Sequence, residues 1–458
     1  MSDAKTELFP GAGGSQMDES AVTTTAGSDL RRPRVVPGAD NGDLQSWDNE
    51  GGKVKAHVKD LSAIEAINNI GSQFPDDGFG RLRVSEPRSL IEITHQYDLS
   101  PGRMGAIESG GSGGTVVHAT PHAILSVGSV GGHTMRHRSH RYTVYQPGKS
   151  MLVRMTGQLG NGTALAWMGY GDSDDGVFLE RDNTGVYLNF KSSVAGVADQ
   201  RIAQASWSDP LNGAGTSGKT LDPSKSQQLV LDFQWLGVGT IRAGLTIDGE
   251  LIHIHSFHFA NTTTGAYMRT ASLPVEWGIQ SLGTAASMTA ICAAVISEGG
   301  HDPFVQFFSE SMTASKALLG AGVRTPLIAV RPAILYNGIA NHGYIAPIDF
   351  SAIAISADNV LLELVRNPTS LTASSFGGVG GTSLAEFDIA STAITGGTVI
   401  WGGFITSQLR AAAGALNNLK DIPLVVRADG TQETIVLCAT RIAGATSLFG
   451  GINWQEVR

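Results

Sequence analysis

"IRAGLTIDGELIHIHSFHFAN", residues 241–261, is the stretch whose reading decides the fold class. Apolar and polar residues alternate on both sides of Asp248-Gly249. That dipeptide accepts the positive φ values of a two-residue turn, so the stretch reads as a β-hairpin. On the second strand, side chains at every other position share a face. His253 and His255 then lie on one face and Ile252 and Ile254 on the other, while His258 falls opposite His255 unless a bulge intervenes.

The same signal recurs on both sides of this hairpin. "HRYTVY", "SMLVRMTGQL", "GVFLER", "GVYLNF", "QQLVLDFQWL" and "VEWGIQSL" are short alternating or apolar runs, separated by turn clusters such as "LGNGT", "GDSDDG" and "DNTG". Strands at this spacing predict an antiparallel two-sheet sandwich over 81–300. From 324 the signal returns in "TPLIAVRP", "VLLELVRNP", "TVIWGGFI" and "ETIVLCATRI", which predicts a second sandwich over 324–458, with "SQLRAAAGALNNL" as a helix or long loop inside it. Residues 301–323 read as a linker with a short helix. Residues 1–58 hold few large apolar side chains and many Gly, Ser, Thr and Asp, and residues 1–80 read as an extended N-terminal arm ordered along a neighbouring subunit. A short helix is expected over 61–70. The fold class is therefore mainly β, with two jelly-roll or lectin-like sandwiches behind an extended arm.

Composition narrows the function classes. The 458 residues include 58 Gly and carry a net charge of −9, with no global basic footprint for nucleic acid. The two cysteines, Cys292 and Cys438, form no disulfide framework. There is no secretory leader pattern and no apolar run of spanning length, so the expectation is a soluble chain made in the cytoplasm with no membrane insertion.

Several stretches invite a chemical reading. His253 and His255 are the transition-metal candidates, but zinc needs a third protein ligand, and the spacing supplies none. Asp172, Asp174 and Asp175 in "GDSDDG" are calcium candidates; the spacing is one residue short of an EF-hand loop and lacks its closing Glu. "GAGTSGKT" (213–220) fits the Walker A letters, but Pro223 and a strand pattern follow where a helix should begin, so nucleotide binding is declined. Glu276 in "VEWGI" is a lone carboxylate where glycoside hydrolysis needs two. "GGSGG" (110–114) matches a nucleophile elbow in letters only. Trp167, Tyr170, Trp207, Trp235 and Trp277 are expected mostly in a core. Arg31, Arg32 and Arg34 form a small basic cluster suited to an acidic neighbour. No catalytic residue and no cofactor is expected.

The stretches "RYTVYQPGKSMLV", "GYGDSDDGVFLE", "WSDPLNGAGTSGKTLDPSKSQQLVLDFQWLGVGTIRAGLTIDGELIHIHSFHFAN" and "YMRTASLPVEWGI" resemble a family of virion structural proteins of tailed bacteriophages from marine and environmental sources. The similarity is densest over 140–280, and "QWLGVG" together with the run ending at Asn261 is its most specific part. The closing "NWQEVR" also resembles a virion-protein ending. The resemblance implies a place in the particle, with other virion proteins and copies of the chain itself as partners. It transfers no catalytic residue. The expectation is a non-enzymatic virion component, in the tail rather than decorating the head. Host-surface glycan binding is the alternative, and a polysaccharide depolymerase the second alternative.

Overall fold

The computed structural model describes residues 87–408, 411–416 and 423–458, and within the first 86 residues the backbone of five strands alone. The chain divides into two compact units, Met1–Val84 and Ser85–Arg458. In the first unit Lys5–Glu7, Gln16–Thr23 and Asp29–Val35 form an antiparallel three-stranded sheet, and Leu44–Glu50 pairs with Lys53–Val58. These paired strands stand where an unpaired extended arm is expected; a Gly- and Thr-rich segment can close local hairpins without a large core. Arg31, Arg32 and Arg34 fall on the third of these strands, and their side chains lie outside the described residues, as does the expected helix over 61–70.

The second unit holds both sandwiches. In the first, a seven-stranded sheet runs Gln200–Ala203, Val186–Lys191, Gly176–Arg181, Ala164–Gly171, Val275–Ser281, Thr134–Ser139 and Met104–Ser109. It faces an eight-stranded sheet whose centre is the long strand Ala286–Ser297. That strand pairs along one edge with Met151–Gln158, and along the other first with His122–Val127 and then with Arg88–Thr94. The inward positions are mostly apolar and closed from water: Met155, Val153, Leu229, Met168, Leu179, Leu188, Trp277 and Ile279 all have essentially no exposure. The 241–257 hairpin forms as its sequence dictates, with Asp248 at φ 53° and Gly249 at φ 82°.

"HRYTVY" is not a strand. Residues 141–146 run extended along the seam between the sandwiches, and the backbone N–H of Thr143 bonds to Leu273 O at 3.0 Å rather than to a ladder. Its side chains grip the second sandwich. Tyr142 stacks on His342 at 3.8 Å, the Arg141 guanidinium lies 4.6 Å from the Tyr344 ring centre, and Val144 packs with Tyr344, Val425 and Val457. An extended segment clasped from two sides has the alternation of a strand without its pairing.

The second sandwich packs a five-stranded sheet on a six-stranded one. The five-stranded sheet is built on the last strand, Ser447–Val457, which pairs with Val305–Ser311, Lys316–Ala317 and Tyr344–Ala354. The 301–323 segment therefore belongs to this sandwich and is not a helical linker: Phe308 stacks on Trp454 at 6.3 Å. Ala411–Ala415 is a strand along Tyr344–Ala354, not part of a helix. Alanine's helix propensity of a few tenths of a kcal/mol per residue yields to a vacant sheet edge.

Candidate functional site

The outer face of the seven-stranded sheet carries the densest polar constellation in the first sandwich. Val275, Trp277 and Ile279 point into the core, which leaves Glu276 and Gly278 outward. Gly278 is required there: a Cβ would meet the Trp167 ring at 2.1 Å, so the indole lies flat across the glycine. Its Nε1–H donates to Glu276 Oε1 at 2.8 Å, and Arg138 Nε donates to Glu276 Oε2. Arg136 sits 3.6 Å from the same carboxylate and 5.7 Å from the Trp167 ring centre. Both Glu276 oxygens are thus engaged, and its side chain is 2% exposed. Glu180, on the far side of one intervening strand, is held by Asn189 at 2.7 Å and Arg201 at 2.8 Å. Strand spacing and rise put the two glutamates about 12 Å apart at Cα. A hydrolytic carboxyl pair needs a free oxygen on each partner, and both oxygens of Glu276 and both of Glu180 are engaged.

The histidines of 253–258 do not converge. A bulge opposite Ala243 and Gly244 interrupts the alternation, so His253 and His255 do not share one orderly face. His253 is exposed and its Nε2 is 2.8 Å from Ser256 Oγ; His255 is half-buried, edge-on to Phe257 at 5.0 Å; His258 is exposed beside Thr240. Among the described residues no group of three or more His, Cys, Asp or Glu side chains is placed to hold a metal ion. Changing His253 and His255 to Asn is expected to leave the metal content of the dialysed protein unchanged by plasma mass spectrometry; a stoichiometric loss of zinc would contradict this geometry.

The three aspartates of the 172–175 turn also point to separate partners. Asp172 Oδ1 accepts from the backbone N–H groups of Asp174 and Asp175, and its Oδ2 from the Tyr142 hydroxyl at 3.0 Å. Asp174 pairs with Arg269 at 2.9 Å, and buried Asp175 accepts from Ser193 N and Oγ. They close a turn and leave no shared cavity for calcium. In the Walker-like loop the carboxylate of Asp209 takes the place a phosphate would need: it accepts from Ser217 N at 2.7 Å and Leu211 N at 3.1 Å, while Lys219 pairs with Asp248 at 2.9 Å. Tyr170, Trp207 and Trp277 lie in the core as expected, Trp235 is half-buried, and Trp167 alone of the five lies on the outer face.

Two features escape a reading of the sequence. The first is a buried histidine pair. His95 Nε2 and His137 Nε2 are 3.1 Å apart, both rings pack on Trp277, and neither residue is more than 2% exposed. Nothing in the sequence links positions 42 residues apart.

The second is the outer face of the five-stranded sheet. Cross-strand register aligns Ser311, Gly451, Ser351 and Ala413 in one row, Ser309, Asn453 and Asp349 in the next, and Phe449, Ile353 and Ala411 in a third. Phe307, 68% exposed, extends the surface, and Ile353 is 51% exposed. Among the described residues of this face Asp349 is the one ionisable side chain, and it accepts a hydrogen bond from Asn453. A solvated sheet face normally carries charge; small, uncharged and apolar side chains are the composition of a surface that meets protein.

No protein-family model matches the chain, and no curated protein matches it. Solved structures do resemble it, and they are β-sandwich folds of the jelly-roll lectin and glucanase kind. A transglycosylase in complex with NAG is 12% identical with a TM-score of 0.31, covering 49% of this chain and 90% of its own. Peanut lectin bound to a nine-residue peptide is 10% identical with a TM-score of 0.29, covering 46% of this chain and 97% of its own. The Bacillus licheniformis beta-glucanase is 11% identical with a TM-score of 0.28, covering 48% of this chain and 99% of its own.

Proposed function

We propose that this chain is a non-catalytic structural component of a tailed-phage virion that assembles with copies of itself. The observation that carries the self-assembly is the outer face of the second sandwich, where Asp349 is the one ionisable side chain among the described residues. Its serines, alanines and glycine let a second backbone approach closely, and Phe307, Phe449 and Ile353 supply apolar area at the margins. The place in a particle rests on the sequence resemblance over 140–280. The non-catalytic reading is supported by Glu276, whose two oxygens are committed to Trp167 and Arg138.

Two experiments test the two halves of the reading. Introducing Ile353→Lys together with Phe307→Lys puts two like charges, on positions that are not cross-strand partners, into the proposed contact, which costs several kcal/mol when unpaired. The protein is expected to fall to monomer mass in sedimentation equilibrium with its melting temperature retained. An unchanged oligomer mass would remove the face from the assembly. Immunogold labelling of purified particles with antibody against residues 120–300 is expected to mark the particle, at the tail rather than the head lattice. Absence of the chain from the protein inventory of intact particles would defeat the virion reading.

A further inference from the structure

The geometry points to an oxyanion-binding site at the base of the first sandwich, and we propose that its ligand is a phosphate or sulfate group. The site is a depression of about 530 Å³ lined by Arg88, Lys149, Gly299, Gly300, His301 and Asp302. Three different parts of the chain build it: the start of the strand Arg88–Thr94, the turn that leads into Met151–Gln158, and the segment after Ala286–Ser297. Arg141, on the seam segment, is near enough to His301 to act on its charge.

Asp302 lies in the same lining as Arg88 and Lys149, but it makes no ion pair with these cations. Among the described residues Arg88, Arg141 and Lys149 make no ion pair, although thirteen other pairings closer than 4 Å are formed elsewhere in the second unit. Lys149 Nζ donates to the neutral Gln146 Oε1 at 3.0 Å, which leaves ammonium protons for a further acceptor. Arg141 lies over Tyr344, and its Nε–H is enclosed without an acceptor.

His301 is the second, independent observation. Both of its ring nitrogens are enclosed with no hydrogen-bond partner in the protein. A buried donor without an acceptor costs about 1–3 kcal/mol, and native folds rarely leave one unless a ligand or water completes it. Burial first, and then the charges of Arg141, Arg88 and Lys149, push the imidazole down to about 4, so at neutral pH it offers one N–H. Arg88 and Lys149, without an ion-pair partner among the described residues, line the depression together with His301 and with Asp302. A doubly charged tetrahedral oxyanion answers both features, because guanidinium and ammonium groups bind it through charge-assisted hydrogen bonds. The chain as a whole carries a charge of −9, so its attraction for an anion is local to this depression and not a property of the whole surface.

The group can be the free ion or an ester on a larger molecule, and a titration separates the two. Full-length protein is titrated calorimetrically with sodium phosphate, sodium sulfate, glucose 6-sulfate and sulfated dextran oligosaccharide. Ionic strength is held with sodium chloride, and neutral dextran serves as control. Saturable binding with one site per chain is expected for at least one oxyanion and none for neutral dextran. Arg88→Ala with Lys149→Ala should weaken it tenfold or more, and His301→Gln several-fold, with melting temperatures unchanged because Arg88 and Lys149 lie at the surface. Tighter binding of the sugar esters than of the inorganic ions assigns the site to an esterified polymer; equal binding assigns it to the free ion. No saturable binding by any of the four, or equal binding by the Arg88→Ala/Lys149→Ala protein, overturns the proposal.

Discussion

Trp454→Ala is expected to destabilise the second sandwich by about 5 kcal/mol, enough to remove much of the stability of an ordinary domain. The indole has no exposed surface and stacks against Phe308. Its loss opens a cavity in a strand that pairs with three others, for which roughly 3–5 kcal/mol is usual. The Nε1–H also donates to Glu456 Oε1 at 2.9 Å. Glu456 is 1% exposed and accepts further bonds from Ser383 Oγ and Leu384 N. Removing one donor from this buried carboxylate adds about 1–3 kcal/mol. By calorimetry the transition of the second sandwich should move down by about 10 °C or more. Trp454→Phe keeps most of the volume and loses only the donor, so it should cost well under half as much. A shift below about 3 °C for the alanine variant would show that the last strand is not the keystone of that sheet.

The second large effect is acid lability of the first sandwich. Burial first, and then the charges of His95 and His140, hold His137 down to about 3, and burial likewise lowers His95. An unfolded histidine titrates near 6.5, so between about pH 6.5 and 3 the unfolded chain binds the extra proton. Stability from this residue is present above pH 6.5 and is lost as pH falls through that window. The loss from pH 7 to pH 4.5 is about 2–3 kcal/mol. Urea unfolding at the two pH values measures it. His137→Gln removes the titrating group while keeping a polar partner for His95, so the variant should lose distinctly less stability on acidification than the parent. An identical pH slope in both proteins would place the acid sensitivity elsewhere.

The strands of the first sandwich were legible because one face of each is buried and the other is not. Met151–Gln158 and Val186–Lys191 show the period-two pattern in their letters and in their burial alike. The Asp-Gly turn was legible because its backbone geometry is a local demand. The histidine strand was half legible. Ile252 and Ile254 point inward as read, but the bulge that separates His253 from His255 is set by the partner strand, where a Cβ on Gly244 would press against Ile252 O. The segment 141–146 misled because extended backbone clasped between two bodies imitates a strand. The 305–317 and 411–415 strands were missed because their pairing partners lie far away in sequence.

The sequence by itself determined the class of this protein: alternating runs, turn dipeptides and glycines left antiparallel sandwiches as the one way to bury its apolar residues. It also argued against nucleotide binding at the Walker-like loop, because Pro223 and a strand pattern follow where the motif needs a helix. Only the tertiary structure decided which polar groups meet. Glu276 with Arg138, His95 with His137, and Arg88 with Lys149 and His301 are each joined across strands or segments that sheet topology alone brings together. Local propensity acts within a few residues, whereas the electrostatics of a site depend on neighbours fixed by the packing of the whole sandwich.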